Sequence, residues 1–449
     1  MRAALRPAGV FLLTFAIYAA IAGPRLLGPS RDNHFSHLAA AWLSGRLDLP
    51  GPPPHRNDWG RVTTYELDGG RRVEGIRCRT RACTKDTPRG HVAVVTLDGR
   101  VETIPRRAIR RRTTRTYVTF PPGPAVLLLP LVALFGLATP DVLVCALVGA
   151  LGPALLVLGL DRLRPPDTSL DPPHLVLASA LGLGSPLAFV APAGGVWFLA
   201  QALAVACSVV AIPGALGAHR PWVVGVALAL LLSTRPTVAV GVAVFIGLLA
   251  LRNRPPRSVL AATFLPALVV GLALAAHNVA RFGDPFEFGH RFLDVAWQPR
   301  IQTHGLFSLR YLPRNLHAMF LLLPKVEGHT IRISIHGASL LLACPWVLGA
   351  FGRHQRYEGR LSLFAGAVAA AIFPLLYQNT GQVQASPRFA LDFLPFVLVH
   401  LARTTIPRRP VFWVLVGLSA VYGLATGILF VRAPGRLFVP SLWPYENGP

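Results

Sequence analysis

Long uninterrupted runs of apolar residues recur along most of this sequence. They lack the alternation of polar and apolar positions that strands of a membrane barrel require, so they predict helices. Most of them, with their neutral flanks, reach the roughly 17–25 residues that a helix needs to cross a bilayer. The clearest runs are Val10 to Ala22, Val142 to Leu160, Leu175 to Val190, Val196 to Ile212, Val238 to Leu251, Leu260 to Ala276, Leu361 to Leu376, Phe389 to Leu401 and Val411 to Val431.

The overall composition leads to the same class of protein. Hydrophobic residues make up 53% of the chain and charged residues only 14%, a balance that a water-soluble chain of 449 residues could not bury. Basic residues outnumber acidic ones by 44 to 20, which gives a net charge of +24. Most of this charge lies between the apolar runs, where anionic headgroups and membrane topology account for it, so we do not expect nucleic acid as a partner.

Arginine clusters in four connections set the expected topology, because basic loops are retained in the cytoplasm. These clusters are Asp161 to Arg164, Arg252 to Arg257, Arg353 to Arg360 and Arg403 to Arg409. The run Pro124 to Leu137 is short and follows Pro121-Pro122-Gly123, so we interpret it as a re-entrant or interfacial helix. A competing topology keeps this run as a span and places residues 24–120 in the cytoplasm. The basic-residue rule does not decide between them, because loops beyond about 60 residues largely escape it.

The sequence thus predicts an all-α polytopic membrane protein with about eleven transmembrane helices and a small β-rich extracytoplasmic loop subdomain. The first span shows no small-x-small cleavage pattern, and we interpret it as uncleaved. The expected segments are 1–23, the first transmembrane helix; 24–120, an extracytoplasmic loop with an amphipathic helix and β-hairpins; 121–139, the re-entrant or interfacial helix; 140–276, transmembrane helices; 277–335, an extracytoplasmic loop; 336–431, transmembrane helices; and 432–449, an extracytoplasmic tail.

Two Asp-Gly pairs in the first loop predict tight hairpins. Asp68-Gly69 separates the β-prone stretches Arg61 to Leu67 and Arg72 to Ile76, and Asp98-Gly99 separates Val92 to Leu97 from Val101 to Ile104. Cys78 and Cys83 lie in the same loop. They would form a disulfide in an oxidising compartment and remain two thiols otherwise, and the sequence leaves both outcomes open.

The segment after the first span carries the first candidate for chemistry. Phe35, Leu38, Ala39, Trp42 and Leu43 recur at helical spacing and predict an amphipathic helix on the membrane surface. Asp32 stands where an N-cap is expected, and capping is the simplest explanation of this residue. The functional alternative is a general base at the membrane boundary, because acidic residues close to a span are scarce and costly.

The same segment contains two histidines. Asp32, His34 and His37 are imidazole and carboxylate groups about one helical turn apart, which could converge on a divalent metal. Surface histidines on an amphipathic helix need no ligand, so a metal cofactor stays an open alternative.

Further polar groups are expected on the same side of the membrane, at the ends of distant spans. Several guanidinium groups there would hold a lipid-linked phosphate well. Arg388 and Asp392 are four residues apart and would share a helical face and pair. The candidates for substrate binding are Arg388, Arg281, Arg235, Asn278, Asp392 and Lys325.

Taken in order, several short motifs resemble bacterial membrane glycosyltransferases with the C-type (GT-C) fold, the superfamily of the protein O-mannosyltransferases and the lipid A aminoarabinose transferase. The motifs are Asp32 after the first span, Tyr117-Val118-Thr119-Phe120-Pro121-Pro122-Gly123-Pro124-Ala125-Val126-Leu127-Leu128-Leu129-Pro130, the break Thr234-Arg235-Pro236, Asn278-Val279-Ala280-Arg281-Phe282-Gly283-Asp284-Pro285 and Arg388-Phe389-Ala390-Leu391-Asp392-Phe393-Leu394-Pro395.

This resemblance implies an inverting enzyme of the bacterial inner (cytoplasmic) membrane. It would move a sugar from a polyprenyl-phosphate donor to an envelope lipid, glycan or protein acceptor on the outer face, with Asp32 as catalytic base. Many relatives carry an acidic pair where this chain has Asp32-Asn33, which puts a second carboxylate and a metal role in doubt. A multi-span lipid or polysaccharide transporter or flippase is the main alternative, although we find no internal repeat. A non-catalytic scaffold is a third.

Overall fold

The structure is a computed structural model that describes residues 2–164, 172–328, 330–352 and 357–439. Parts of two expected segments, the connection Arg353 to Arg360 and the tail 432–449, lie outside the described residues. The α-helices are α1 Arg2–Ala22, α2 His34–Leu43, α3 Arg81–Asp86, α4 Gly123–Phe135, α5 Asp141–Arg162, α6 Pro172–Gly182, α7 Leu187–Ala193, α8 Val196–Pro213, α9 Pro221–Thr234, α10 Pro236–Asn253, α11 Arg257–Phe282, α12 Gln298–His304, α13 Leu312–Phe320, α14 Leu340–Ala343, α15 Arg360–Leu376, α16 Leu394–Ala402, α17 Pro410–Arg432 and α18 Pro434–Leu437. The strands are β1 Trp59–Leu67, β2 Arg72–Arg77, β3 His91–Thr96, β4 Val101–Pro105, β5 Ile109–Val118, β6 Lys325–Glu327, β7 Thr330–Ser334 and β8 Phe438–Val439.

Proline sets the start of several apolar helices. Pro221, Pro236 and Pro410 each occupy the first turn, where the missing N–H is not needed and the fixed φ suits the helix. Pro236 also explains the break between α9 and α10, because the preceding Arg235 leaves the helical region, with φ −142° and ψ 84°. The motif Thr234-Arg235-Pro236 therefore lies at a break between two apolar helices.

The chain is a multi-pass membrane protein. Within the part of the chain that the structure describes, six stretches are long and apolar enough to cross a bilayer: Leu5–Leu27, Asp141–Arg162, Val196–Ala218, Pro236–Asn253, Arg257–Phe282 and Pro410–Arg432. Helices α6 and α7 form a seventh candidate that is bent by 57°. The apolar helices Gly123–Ala138, Pro221–Thr234 and Arg360–Leu376 are shorter. The expected count of about eleven spans is not confirmed by these lengths.

The described chain divides into two compact units. The first, here the helical unit, comprises 1–31, 140–271 and 309–449 and contains nearly all the candidate spans. The second, here the sheet unit, comprises 32–139 and 272–308.

Two contacts fix the directions of helices within the helical unit. Arg6 near the start of α1 lies 3.4 Å from Asp161 near the end of α5. At the opposite ends, the backbone N–H of Ser30 donates to Asp141 over 2.6 Å. Helices α1 and α5 are therefore antiparallel, and the chain leaves α1 and enters α5 at the same end of this unit.

Helix α17 points the same way as α1. Arg432 at its end donates from Nε to the carbonyl of Ile21 over 3.1 Å, so the two C-terminal ends lie together. The 23 residues of α17 extend about 35 Å at 1.5 Å per residue. The Arg403 to Arg409 cluster before α17 therefore lies at the same end of the helical unit as Arg6 and Asp161.

The sheet unit is built on a five-stranded antiparallel sheet in the order β4-β3-β2-β1-β5. Both predicted hairpins are present, because Thr63 pairs with Gly75 across the first turn and Val92 with Ile104 across the second. Gly75 permits the close pairing of β2 with β3, since a Cβ there would lie 2.0 Å from the Val95 carbonyl oxygen. Cys78 and Cys83 form a disulfide beside this sheet, which answers the question that the sequence left open.

Each face of the sheet carries a cluster of buried apolar side chains, because successive side chains along a strand point to opposite faces. One face packs Val62, Ile76 and Tyr117 against Phe282 and Phe292. The other packs a second cluster of side chains: Tyr65, Leu67, Val73, Val92, Val94 and Ile104.

Candidate active site

Asp32 lies at the start of the sheet unit, two residues after Ser30. Both carboxylate oxygens of Asp141 accept hydrogen bonds from Ser30, one from its backbone N–H and one from its hydroxyl. Because Asp141 is the first residue of α5, this pair of bonds ties the chain just before Asp32 to the end of a helix.

The N-cap prediction for Asp32 is wrong. The N-cap of α2 is Asn33, whose side chain makes no capping bond. The Asp32 carboxylate instead accepts a hydrogen bond over 3.1 Å from the side-chain amide of Asn57, and His55 Nε2 lies 3.5 Å from the same oxygen, Oδ1. The Asp32 side chain keeps 20% of its surface exposed, so the carboxylate is oriented by its partners and still accessible from solution.

Asn57 contacts the side chains of Asp32, His34 and His55, which are here called the Asp32 cluster. Its side-chain amide donates to Asp32, its backbone carbonyl accepts from His34 Nε2 over 2.9 Å, and its backbone N–H donates to His55 Nδ1 over 3.2 Å. Asn57 therefore orients three groups at once, two of them through the main chain.

These partners fix the tautomer of each neutral ring. A carbonyl oxygen only accepts, so the proton of His34 lies on Nε2. His55 Nδ1 faces two N–H donors, Asn57 and, over 3.4 Å, the indole of Trp59, so the proton of His55 lies on Nε2 and points at Asp32. The Nε2–H of His55 thus faces the Oδ1 atom of Asp32 at 3.5 Å.

His34 is a buried neutral residue. Its ring stacks on Trp59 with 3.9 Å between centroids, and burial lowers the pKa of His34 to about 4. His37 meets the edge of Trp59 at 5.5 Å, and burial lowers its pKa as well. Both histidines therefore pack as neutral aromatic rings beside the carboxylate.

The fit of a metal ion can be tested on this geometry. Ligand atoms of Asp32, His34 and His55 lie within 4.8 Å of one another, and His37, which the sequence analysis grouped with Asp32 and His34, is not part of this set. A metal on His55 Nε2 would move the proton to Nδ1, directly against two N–H donors. The residues therefore fit a metal poorly.

Arg281 and Asn278 lie in the same unit, at the end of α11. Arg281 donates to the carbonyl of Val118 and to the side-chain oxygen of Asn278, each over 2.8 Å, and its guanidinium lies 4.9 Å from the centre of the Phe282 ring. Asn278 in turn donates to the carbonyl of Pro285. These bonds use Arg281 to anchor the end of β5.

Phe120 connects this anchor to the Asp32 cluster. Its ring meets the edge of His34 at 5.7 Å and of His290 at 6.0 Å. Burial and the nearby Arg281 guanidinium lower the pKa of His290 to about 4, so this residue is also neutral. Phe120 therefore packs against both His34 and His290.

The sheet unit also contains a cavity of about 220 Å³ between β1, β5 and the end of α11. Its polar walls come from Thr64, Glu74, Arg115, Tyr117 and Arg281. Groups of both charge signs border this cavity, so its walls are not a cradle for one anion.

The remaining candidates lie in the helical unit. Arg235 donates to Asp392 over 2.6 Å, and Asp392 is 2% exposed. Residues 388–392 form a 3-10 helix rather than an α-helix, and the pairing of Arg388 with Asp392 stays a prediction.

The guanidinium group of Arg388 lies close to three aromatic rings. Its guanidinium carbon lies 5.7 Å from the ring centre of Trp197, 5.3 Å from that of Phe198 and 5.4 Å from that of Phe389. Arg235 lies 5.6 Å from the same Phe389 ring. Arg235 and Arg388 therefore lie over the same ring, and Arg388 and Asp392 are both buried.

Lys325 lies apart from these groups, at the start of β6. The sequence analysis missed His55, Asn57 and Trp59. The signal available was the polar and aromatic run His55-Arg56-Asn57-Asp58-Trp59 directly before the first predicted strand.

Neither a protein-family model nor a curated protein matches this chain. A solved structure of the Archaeoglobus fulgidus oligosaccharyltransferase in the apo form is similar at 14% identity with a TM-score of 0.47, over 99% of this chain and 58% of that one. The present chain spans less than two thirds of the length of that protein. Similarity at this level establishes neither a family nor an activity.

Proposed function

We propose that this protein is an inverting membrane glycosyltransferase that moves a sugar from a polyprenyl-phosphate donor to an envelope lipid, glycan or protein on the outer face of the bacterial cytoplasmic membrane. The observation that carries the proposal is the Asp32 carboxylate, partly exposed and oriented by Asn57 and His55. The order of motifs along the chain supports the same reaction class.

The geometry of the helical unit supports an outer location for Asp32. Because α1 and α5 are antiparallel, residues 23–140 begin and end at one end of that unit, opposite the Arg6 and Asp161 end. The basic clusters favour the cytoplasm for that opposite end. The Cys78–Cys83 disulfide agrees, since disulfides persist in oxidising compartments.

The reaction is a single displacement. A hydroxyl of the acceptor attacks the anomeric carbon, the bond from that carbon to the phosphate oxygen of the donor breaks, and the lipid phosphate leaves with the electron pair. Asp32 accepts the hydroxyl proton through Oδ2, because its contacts with Asn57 and His55 both fall on Oδ1. Such positioned base catalysis contributes about 10²–10⁴-fold.

The neighbours of Asp32 keep it ready for this step. The amide of Asn57 donates to the carboxylate of Asp32, and His55 Nε2 lies 3.5 Å from the same oxygen, so both neighbours hold the carboxylate in one orientation. His55 is therefore a positioning residue in this scheme. Its Nδ1, already bonded to two donors, is not a second base.

Guanidinium groups suit the oxygens of a lipid phosphate, and Arg388 and Arg235, which both lie over the Phe389 ring, are the candidates in the helical unit. Arg281 and Asn278 are better suited to anchoring the chain before Phe120 than to binding phosphate.

The test is a comparison of envelope glycans and glycolipids in cells that make the parent protein, Asp32→Asn or Asp68→Asn. Asp68 is a matched control, since it is an exposed carboxylate in a hairpin turn of the same unit. We expect Asp32→Asn to lose the product at unchanged protein abundance and Asp68→Asn to keep it. Full product formation with Asp32→Asn would reject the assigned base.

A further inference from the structure

The short ribbon β6–β7 has two chemically different faces. Lys325 pairs with Arg332, and Val326 with Ile331, in antiparallel register. Because side chains alternate along a strand, Val326 and Ile331 share one face and Lys325 and Arg332 share the other.

The apolar face is exposed. Val326 is 73% exposed and Ile331 71% exposed. Leu321 and Leu323, which lead into the ribbon, are each 65% exposed. A two-stranded ribbon is normally stabilised by burying its apolar side chains, and an exposed apolar pair in water does not contribute this stabilisation.

The opposite face places two cations directly across from each other. Lys325 and Arg332 are cross-strand partners, which places two positive charges side by side in a ribbon whose one acidic residue in the sequence 325–334 is Glu327. A phosphate group would satisfy both side chains.

The ribbon lies at a known level of the helical unit. Strand β7 pairs with β8 through Ile333 and Phe438, and β8 begins six residues after Arg432, the last residue of α17. Arg432 contacts the end of α1. Through β8 and Arg432, the ribbon is therefore connected to the C-terminal ends of α17 and α1. These ends lie at the end of the helical unit that is opposite Arg6.

The ribbon is also anchored at its base. The backbone N–H of Ser339 donates to the carbonyl of Leu322, and the Ser339 hydroxyl donates to the carbonyl of Phe320. These bonds join Phe320 and Leu322, just before the ribbon, to Ser339, which follows it.

We propose that this ribbon docks on the lipid leaflet at that end of the protein. Val326 and Ile331 insert among the acyl chains, and Lys325 and Arg332 bind the phosphate of a bilayer phospholipid headgroup. This pairing of an apolar face with flanking cations is what an interfacial membrane element requires. The inference is independent of the proposed enzymatic activity.

The experiment places a nitroxide spin label on the full chain in phosphatidylcholine vesicles with or without phosphatidylglycerol. Val326→Cys and Ile331→Cys report on the apolar face. Thr330→Cys is the matched control, because Thr330 is exposed in the same ribbon and alternates with Ile331. The free native cysteines among the described residues, Cys145, Cys207 and Cys344, are buried, and labelling of the parent protein measures their background.

We expect labels at 326 and 331 to collide several-fold more with oxygen, relative to a water-soluble nickel complex, than the label at 330. In vesicles with phosphatidylglycerol, Lys325→Ser with Arg332→Ser should reduce this preference. Equal collision ratios at all three positions would overturn the insertion. A ratio that is unaffected by the double substitution would overturn phosphate binding, and a preference that appears only with added polyprenyl phosphate would assign the ribbon to that lipid instead.

Discussion

Replacing Asn57 with leucine tests how much the orientation of Asp32 contributes to transfer. The substitution removes the 3.1 Å bond to the carboxylate and keeps a side chain of similar shape. The bonds of Asn57 to His34 and His55 use main-chain atoms, so they remain. The change therefore isolates a single hydrogen bond to the proposed base.

The expected magnitude follows from the charge on the acceptor. A hydrogen bond to an ionised group contributes about 1.5–3 kcal/mol. If that energy holds the base in its reactive orientation, its loss lowers kcat/KM by about 10- to 150-fold at 1.36 kcal/mol per tenfold.

The assay measures sugar transfer in isolated membranes at several donor concentrations, together with the thermal unfolding midpoint of the purified variant. Thr64→Val is the matched control, because it removes an exposed 2.9 Å bond to Glu74 in the same sheet. We expect it to transfer at close to the parent rate. An unchanged kcat/KM in Asn57→Leu, with Asp32→Asn inactive, would refute the orientation argument.

Three further predictions concern stability. Arg235→Gln leaves Asp392 buried without its partner in the 2.6 Å ion pair and should destabilise the protein by about 3–5 kcal/mol. In thermal unfolding, the double variant with Asp392→Asn should recover part of that loss. Equal unfolding midpoints for the parent and the single variant would contradict the pairing. Cys78→Ser with Cys83→Ser should speed limited proteolysis of residues 59–118, since closing so short a loop contributes about 2 kcal/mol; unchanged cleavage would show that the disulfide does not stabilise the sheet. The pKa of His34 in the folded protein, about 4, lies below its value of about 6.5 in the unfolded chain, so the unfolded chain binds more protons at acidic pH. The free energy of unfolding should therefore fall by about 3 kcal/mol as the pH drops from about 6.5 towards 4. His34→Phe should reduce this dependence of the unfolding free energy on pH.

Local chemistry made part of this fold readable from the sequence. Asp68-Gly69 and Asp98-Gly99 specify tight turns whatever the rest of the chain does, and both hairpins are present. The helical spacing of Phe35, Leu38 and Ala39 similarly predicted α2, and these side chains are buried.

The strand β5 was missed for a physical reason. Its first residues, Arg110 to Arg115, are arginines and threonines that remain exposed, so no apolar alternation marks them. The strand is held by pairing with β1, a contact between residues more than forty positions apart. Sequence periodicity does not report such pairing.

Tertiary contacts also decided the roles of the site residues. The sequence predicted Asp32 as the N-cap of α2, yet its carboxylate bonds to Asn57, 25 residues away. Asp392 pairs with Arg235, which is 157 residues away. The candidate residues could be named from the sequence, but their partners depend on the folded chain.

The central claim is that Asp32 removes the acceptor proton while a lipid phosphate leaves. Its most direct test reconstitutes the purified protein with lipid-linked sugars and acceptor extract, and measures released polyprenyl phosphate together with the anomeric configuration of the product. The account predicts one polyprenyl phosphate released for each sugar transferred, with inverted configuration, and no release by Asp32→Asn. Intact lipid-linked sugar that only crosses the bilayer, or release by Asp32→Asn at the parent rate, would contradict it.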